Sequence, residues 1–161
     1  MKDTTTIRDN INLLPKSSEI YSKLKQLRKV KSEEDLETFR VWTFEKLDLF
    51  VMIVQDILED NLFKHEEFQL LDIIQRLHLV NSGLIGLVSG LHETAVYIPY
   101  KELTESSRGT DAKKQKLTAQ DRERYAKGEA SDLKGTLSSL EETQKNLWER
   151  MQILRDATRR R

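Results

Sequence analysis

The chain of 161 residues contains no cysteine, only two prolines and only six glycines. Without cysteine there are no disulfides, thiolate metal sites, iron–sulfur clusters or cysteine nucleophiles, and the composition is compatible with a reducing compartment. Few helix breakers and 34% charged side chains favour long helices over a β-sandwich or a βαβ sheet. No apolar run is long and clean enough for a membrane span: the greasiest stretch, Phe39 to Leu58, is interrupted by Glu45, Lys46, Asp48 and Asp56. Met1 to Asn10 is polar and threonine-rich, with no basic segment followed by an apolar one. The expectation is therefore no signal peptide and a cytoplasmic location.

An excess of one charge is also missing, since 27 basic and 27 acidic side chains cancel. They are not evenly spread: residues 1–33 and 101–161 are mildly basic, residues 34–67 are acidic, and residues 68–100 are nearly uncharged. A face that binds a polyanion needs a denser cluster than either end offers, so solvated surfaces explain most of this pattern.

What is present is helical periodicity. Residues 1–15 end at Pro15 and read as an N-terminal arm, either flexible or docked through Ile7, Ile11, Leu13 and Leu14. The rest, 16–161, reads as one helical domain. A short basic helix from about Lys16 to Val30 places Ile20, Leu24 and Leu27 on one face. Ser32, followed by Glu33, Glu34 and Asp35, is a start signal, because its hydroxyl can accept from an unpaired backbone N–H while the acids face the positive helix end. The helix expected from there to about Glu59 is apolar nearly all round. Trp42, Phe44, Phe50, Val51 and Ile53 are accordingly candidates for a partner or oligomer interface. A break is expected between Glu59 and His65, where the apolar phase slips by one position.

From about 66 to 95 the positions Leu70, Ile74, Leu77, Asn81, Leu84, Val88 and Leu91 form an unbroken four-three repeat. Ile73, Val80 and Leu87 add a second stripe, which calls for neighbours on two sides. Residues 96–117 lose this pattern around Pro99 and read as a mobile linker, starting with an extended Val96 to Tyr100. Thr118 with Asp121 three residues on opens a last helix, expected to reach about Thr158, a length of about 60 Å at the standard rise. Its seam is Ala126, Ala130, Leu133, Leu137, Leu140, Gln144, Leu147, Met151 and Leu154.

Set antiparallel, the two seams align: Leu70 with Leu154, Ile74 with Met151, Leu77 with Leu147, Leu84 with Leu140, Val88 with Leu137 and Leu91 with Leu133. That alignment puts Asn81 opposite Gln144. Two amides that are costly to bury singly can bond each other and fix the register, the alternative being that both face solvent in a looser bundle. The fold expected is thus all-α, an elongated bundle around a long antiparallel coiled-coil hairpin of 66–95 with 118–158. Five glycines, Gly83, Gly86, Gly90, Gly128 and Gly135, fall inside these helices. They either let the two long helices approach closely, with Ser82, Gly86 and Gly90 near Ser138, Gly135 and Ser131, or interrupt them.

Chemistry is scarce. His65, His78 and His92 form no HExxH or Glu-x-x-His pattern, there is no Gly-rich phosphate loop, and adjacent carboxylates such as Glu66–Glu67 or Glu141–Glu142 point in different directions on a helix. No catalytic residue, metal or cofactor is expected. The function expected is a non-enzymatic scaffold or adaptor with protein partners, a self-assembling chain or a complex subunit. The alternative is a nucleic-acid accessory protein that touches phosphates through Lys113, Lys114, Lys116, Arg122, Arg124, Arg159, Arg160 and Arg161.

Overall fold

The computed structural model describes residues 4–59, 67–107 and 118–160. The described residues are helical throughout apart from short connections, in the order α1 (Thr4–Asn12), α2 (Ser17–Leu27), α3 (Glu33–Glu59), α4 (Glu67–Ser107), α5 (Ala119–Glu129) and α6 (Ser131–Arg159). The fold is all-α. None of these helices is long and apolar enough to cross a membrane.

The helix starts follow from local chemistry. Ser32 Oγ accepts from Asp35 N at 3.2 Å, and Glu33, Glu34 and Asp35 fill the first turn of α3. Thr118 Oγ1 accepts from Asp121 N at 3.1 Å and donates to the Asp121 carboxylate at 2.8 Å, so cap and first turn hold each other at the start of α5.

Helix α4 is the mast of the molecule, packed by α6, α5, α2, α3 and α1. This explains why residues 68–100 are nearly uncharged, because a helix covered on several sides has few positions at which a charge stays hydrated. Leu77, Leu84, Leu87, Val88 and Leu91 are at most 1% exposed. The α6 helix runs antiparallel to α4: His78 meets Trp148, Asn81 meets Leu140 and Gln144, and further along Tyr100 meets Arg122 of α5. Leu133, Leu140, Leu147, Met151 and Leu154 of α6 are all buried.

Three sequence expectations change. The linker expected at 96–117 does not begin at 96, because α4 continues through Pro99 to Ser107; residues 108–117 lie outside the described residues. Proline removes one helical donor, yet Ala95, Ile98 and Pro99 are buried, and that burial offsets the lost bond. The last helix is divided at Ala130 (φ −99°, ψ 8°), whose N–H bonds back to Gly128 O. The N-terminal arm is a helix docked by Ile7, Ile11 and Leu14, whereas Leu13 is 63% exposed. The break expected at 59–65 falls almost wholly outside the described residues.

The glycines serve a different neighbour from the one expected. A Cβ on Gly83 would lie 2.7 Å from Ile20 Cδ1, and one on Gly90 would lie 3.2 Å from Leu27 Cδ2, so these two bring α2 close to α4. Gly86 and Gly135, expected between α4 and the last helix, have none of the described residues within 4 Å of that position.

Candidate functional site

The polar centre of the bundle is a short chain of amides and hydroxyls between α4 and α6. Asn81 is fully buried; its Nδ2 donates to Gln144 Oε1 at 2.6 Å and to Leu140 O at 2.9 Å. Gln144 Nε2 donates to Ser82 Oγ at 2.6 Å, and Ser82 Oγ donates to His78 O at 3.1 Å. Among the described residues Asn81 Oδ1 has no hydrogen-bond partner. The chain runs into a backbone carbonyl rather than a base, so Ser82 is not activated as a nucleophile. What the arrangement can do is penalise any sliding of α6 along α4, since displacement strands a buried amide.

His78 stands beside this centre, its ring 5.8 Å from that of Trp148 at a 44° tilt. Desolvation and the positive Arg155 hold its pKa below the ordinary 6.5. Among the described residues no group of three or more His, Asp or Glu side chains is placed to hold a metal ion.

The five interface candidates on α3 do not share a surface. Phe50 and Ile53 are 1% exposed and belong to the core, and Phe44 is half-buried against it. Trp42 is half-buried beneath two ammonium groups, Lys23 Nζ at 4.9 Å and Lys46 Nζ at 5.8 Å from its ring. Only Val51 is open, at 46%. Two residues outside the candidate set join it on the outer side, Val41 at 51% and Met52 at 40% exposure. The signal for them was in the sequence: Val41, Glu45, Asp48, Met52 and Gln55 recur at spacings of four and three, and the acids in that line mark it as solvent-facing.

The basic candidates are dispersed. Lys113, Lys114, Lys116 and Arg161 lie outside the described residues. The Arg122 guanidinium sits 5.6 Å over the Tyr100 ring, while Arg124 is exposed on α5 and Arg159 and Arg160 are exposed at the far end of α6. The 29 residues of α6 separate those two places by about 43 Å.

Helical geometry beyond residue 95 builds something not expected from the sequence. His92, Glu93, Val96, Tyr97 and Tyr100 fall on one face of α4 and, with Glu123 and Lys127 of α5, line an open groove of about 420 Å³. Read as helix rather than strand, the spacing of His92, Val96 and Tyr100, and of Glu93 and Tyr97, announces that face.

Comparison of the chain with protein-family models, curated proteins and solved structures finds no match.

Proposed function

We propose that the protein is a non-enzymatic helical scaffold or adaptor of the cytoplasm, assembling through coiled-coil and apolar helix contacts as a homo-oligomer or as a subunit of a larger complex. The observation behind this reading is the outer side of α3. Val41, Val51 and Met52 remain 40–51% exposed there after the bundle has enclosed Leu47, Phe50, Ile53, Val54 and Ile57 of the same helix. Apolar side chains left in solvent on a long helix of a bundle are what an interface between protein surfaces uses at its centre. The α4–α6 pair acts as a stiff spacer in this reading, its length maintained by the buried leucines and its register by Asn81 and Gln144.

The test is multi-angle light scattering across concentration for the full chain and for a variant carrying Val51→Lys with Met52→Glu. A wild-type mass above that of the 18.9 kDa chain, falling to it in the variant at unchanged helicity, is the expected result. A strict monomer removes the homo-oligomer. The subunit form then fails if wild type and variant recover the same proteins from host extract.

The alternative, phosphate contacts by the basic segments, draws on the exposed Arg124, Arg159 and Arg160. It requires oligonucleotide binding that weakens steeply with salt, and no binding at low salt eliminates it.

A further inference from the structure

The groove between α4 and α5 combines two chemistries that together select a cation. Its wall is mostly apolar and includes the rings of Tyr97, 60% exposed, and Tyr100, half-buried. Its polar groups are two carboxylates, one ammonium and one imidazole: Glu93, Glu123, Lys127 and His92. Lys127 Nζ is taken by Glu123 at 2.7 Å, and that ammonium holds the Glu123 carboxyl below its usual pKa. Among the described residues Glu93 makes no ion pair, so of the groove's two carboxylates it is the one that the described side chains leave without a counter-ion, a helical turn from Tyr97.

The chain also supplies its own precedent for what this aromatic wall accepts. Arg122 holds its guanidinium over Tyr100, and an aromatic face attracts a cation through its quadrupole. Tyr97, three residues before Tyr100 on α4 and mostly in solvent, offers the same kind of face with Glu93 beside it and, among the described residues, no cation over it.

We infer that this groove is a docking site for an arginine-bearing segment of a protein partner, with Tyr97 stacking on the guanidinium and Glu93 pairing with it. Arginine is preferred to lysine because its planar, weakly hydrated group stacks and still leaves N–H donors for a carboxylate. The groove is open along one side, which suits a side chain projecting from a peptide better than a small molecule that must lose most of its surface to a pocket. This assignment rests on the reading of the protein as a binding scaffold and gives that reading a second, chemically distinct contact.

The experiment is fluorescence anisotropy of three fluorescein-labelled nonapeptides, alternating alanine with arginine, lysine or glutamate, titrated with the full chain at low salt. The arginine peptide binds most tightly, the lysine peptide more weakly, and the glutamate peptide not at all. Tyr97→Leu and Glu93→Gln each weaken the arginine peptide about fivefold, a loss typical of one exposed cation–π or charge contact. Both sites are on the surface, and circular dichroism confirms that the variants fold. No arginine-peptide binding, binding insensitive to both substitutions, or free arginine amide binding as tightly as the peptide each overturns the assignment. Val51→Lys on α3 leaves the peptide affinity unchanged, so failure here and failure of the α3 interface are read separately.

Discussion

The middle of the α4 helix and its C-terminal end are packed by the same partner strand of chain, but with different materials. In the middle, Leu77, Leu84, Leu140 and Leu147 surround one amide pair and leave at most 3% of each leucine exposed. Toward the end, α5 brings Ala126 and, after a break, Ala130, both fully buried but too small to cover the tyrosines beside them. Large interdigitating side chains close a helix interface. Small ones let the backbones meet yet leave the flanks open, and the flank here is the groove of His92, Tyr97 and Tyr100. The lesson is that one continuous helix can be a structural mast over most of its length and one wall of an open groove where its neighbour runs out of bulk.

The largest effect is expected in the middle of α4. Leu84→Ala, at a site fully enclosed by the bundle, is expected to cost about 2–5 kcal/mol in chemical denaturation. Tyr97→Ala at the far end changes stability by less than about 0.5 kcal/mol. Equal losses at the two sites would mean that the end is as tightly packed as the middle.

Next in size is the amide pair. Gln144→Leu withdraws an acceptor from the buried Asn81 Nδ2 and is expected to cost about 1–3 kcal/mol. Adding Asn81→Leu recovers that loss, since it removes the stranded amide together with the orphaned Oδ1. The double variant gives up uniqueness instead, and more than one set of amide resonances in its spectrum is the signature of helices free to slip. A single set, as sharp as in the wild type, refutes a register role for the pair.

The glycines separate two surfaces of the same helix. Gly86→Ala meets open space and should stabilise α4 by about 1 kcal/mol, the ordinary gain in helix propensity. At Gly83 the new methyl would sit 2.7 Å from Ile20 Cδ1, so the gain is spent on displacing that side chain and thermal melting shows little or no increase.

The smallest effects are on pH and have opposite signs in the two regions. His78, in the middle, has a lowered pKa, so the unfolded chain takes up its proton first. Stability falls as pH drops below about 6.5 and levels off beneath the folded-state value. At the far end, desolvation and then the neighbouring Glu33 raise the pKa of Glu102. That contact favours the fold most in acid and loses its contribution as pH rises through the raised value. Denaturation midpoints against pH for His78→Gln and Glu102→Gln should each lose one of these slopes.

Several features could be read from residue order because they depend on local rules. The caps at Ser32 and Thr118 need only a hydroxyl and a donor three residues away. The helical class follows from period and composition, and Asn81 and Gln144 stand out by counting, each the single amide in an otherwise apolar heptad seam of its helix. The reading of Val96 to Tyr100 as extended failed for an identifiable reason. Proline disfavours helix locally, and only the burial of Ala95, Ile98 and Pro99 against the rest of the bundle reverses that preference.

Residue order alone settled most of the helical stretches, residues 96–107 and the division at Ala130 excepted, and which of their faces are apolar, because hydrogen bonding, capping and periodicity act over one or two turns. Beyond the facing of α4 and α6 at Asn81 and Gln144, which apolar face meets which was decided only in three dimensions. Tertiary packing put Phe50 and Ile53 inside while leaving Val41, Val51 and Met52 in water, and it turned Gly83 and Gly90 toward α2 rather than α6. It also carried α4 through a proline to form the tyrosine groove. The physical reason is that burial is a property of pairs of surfaces, and a single helix does not specify its neighbours.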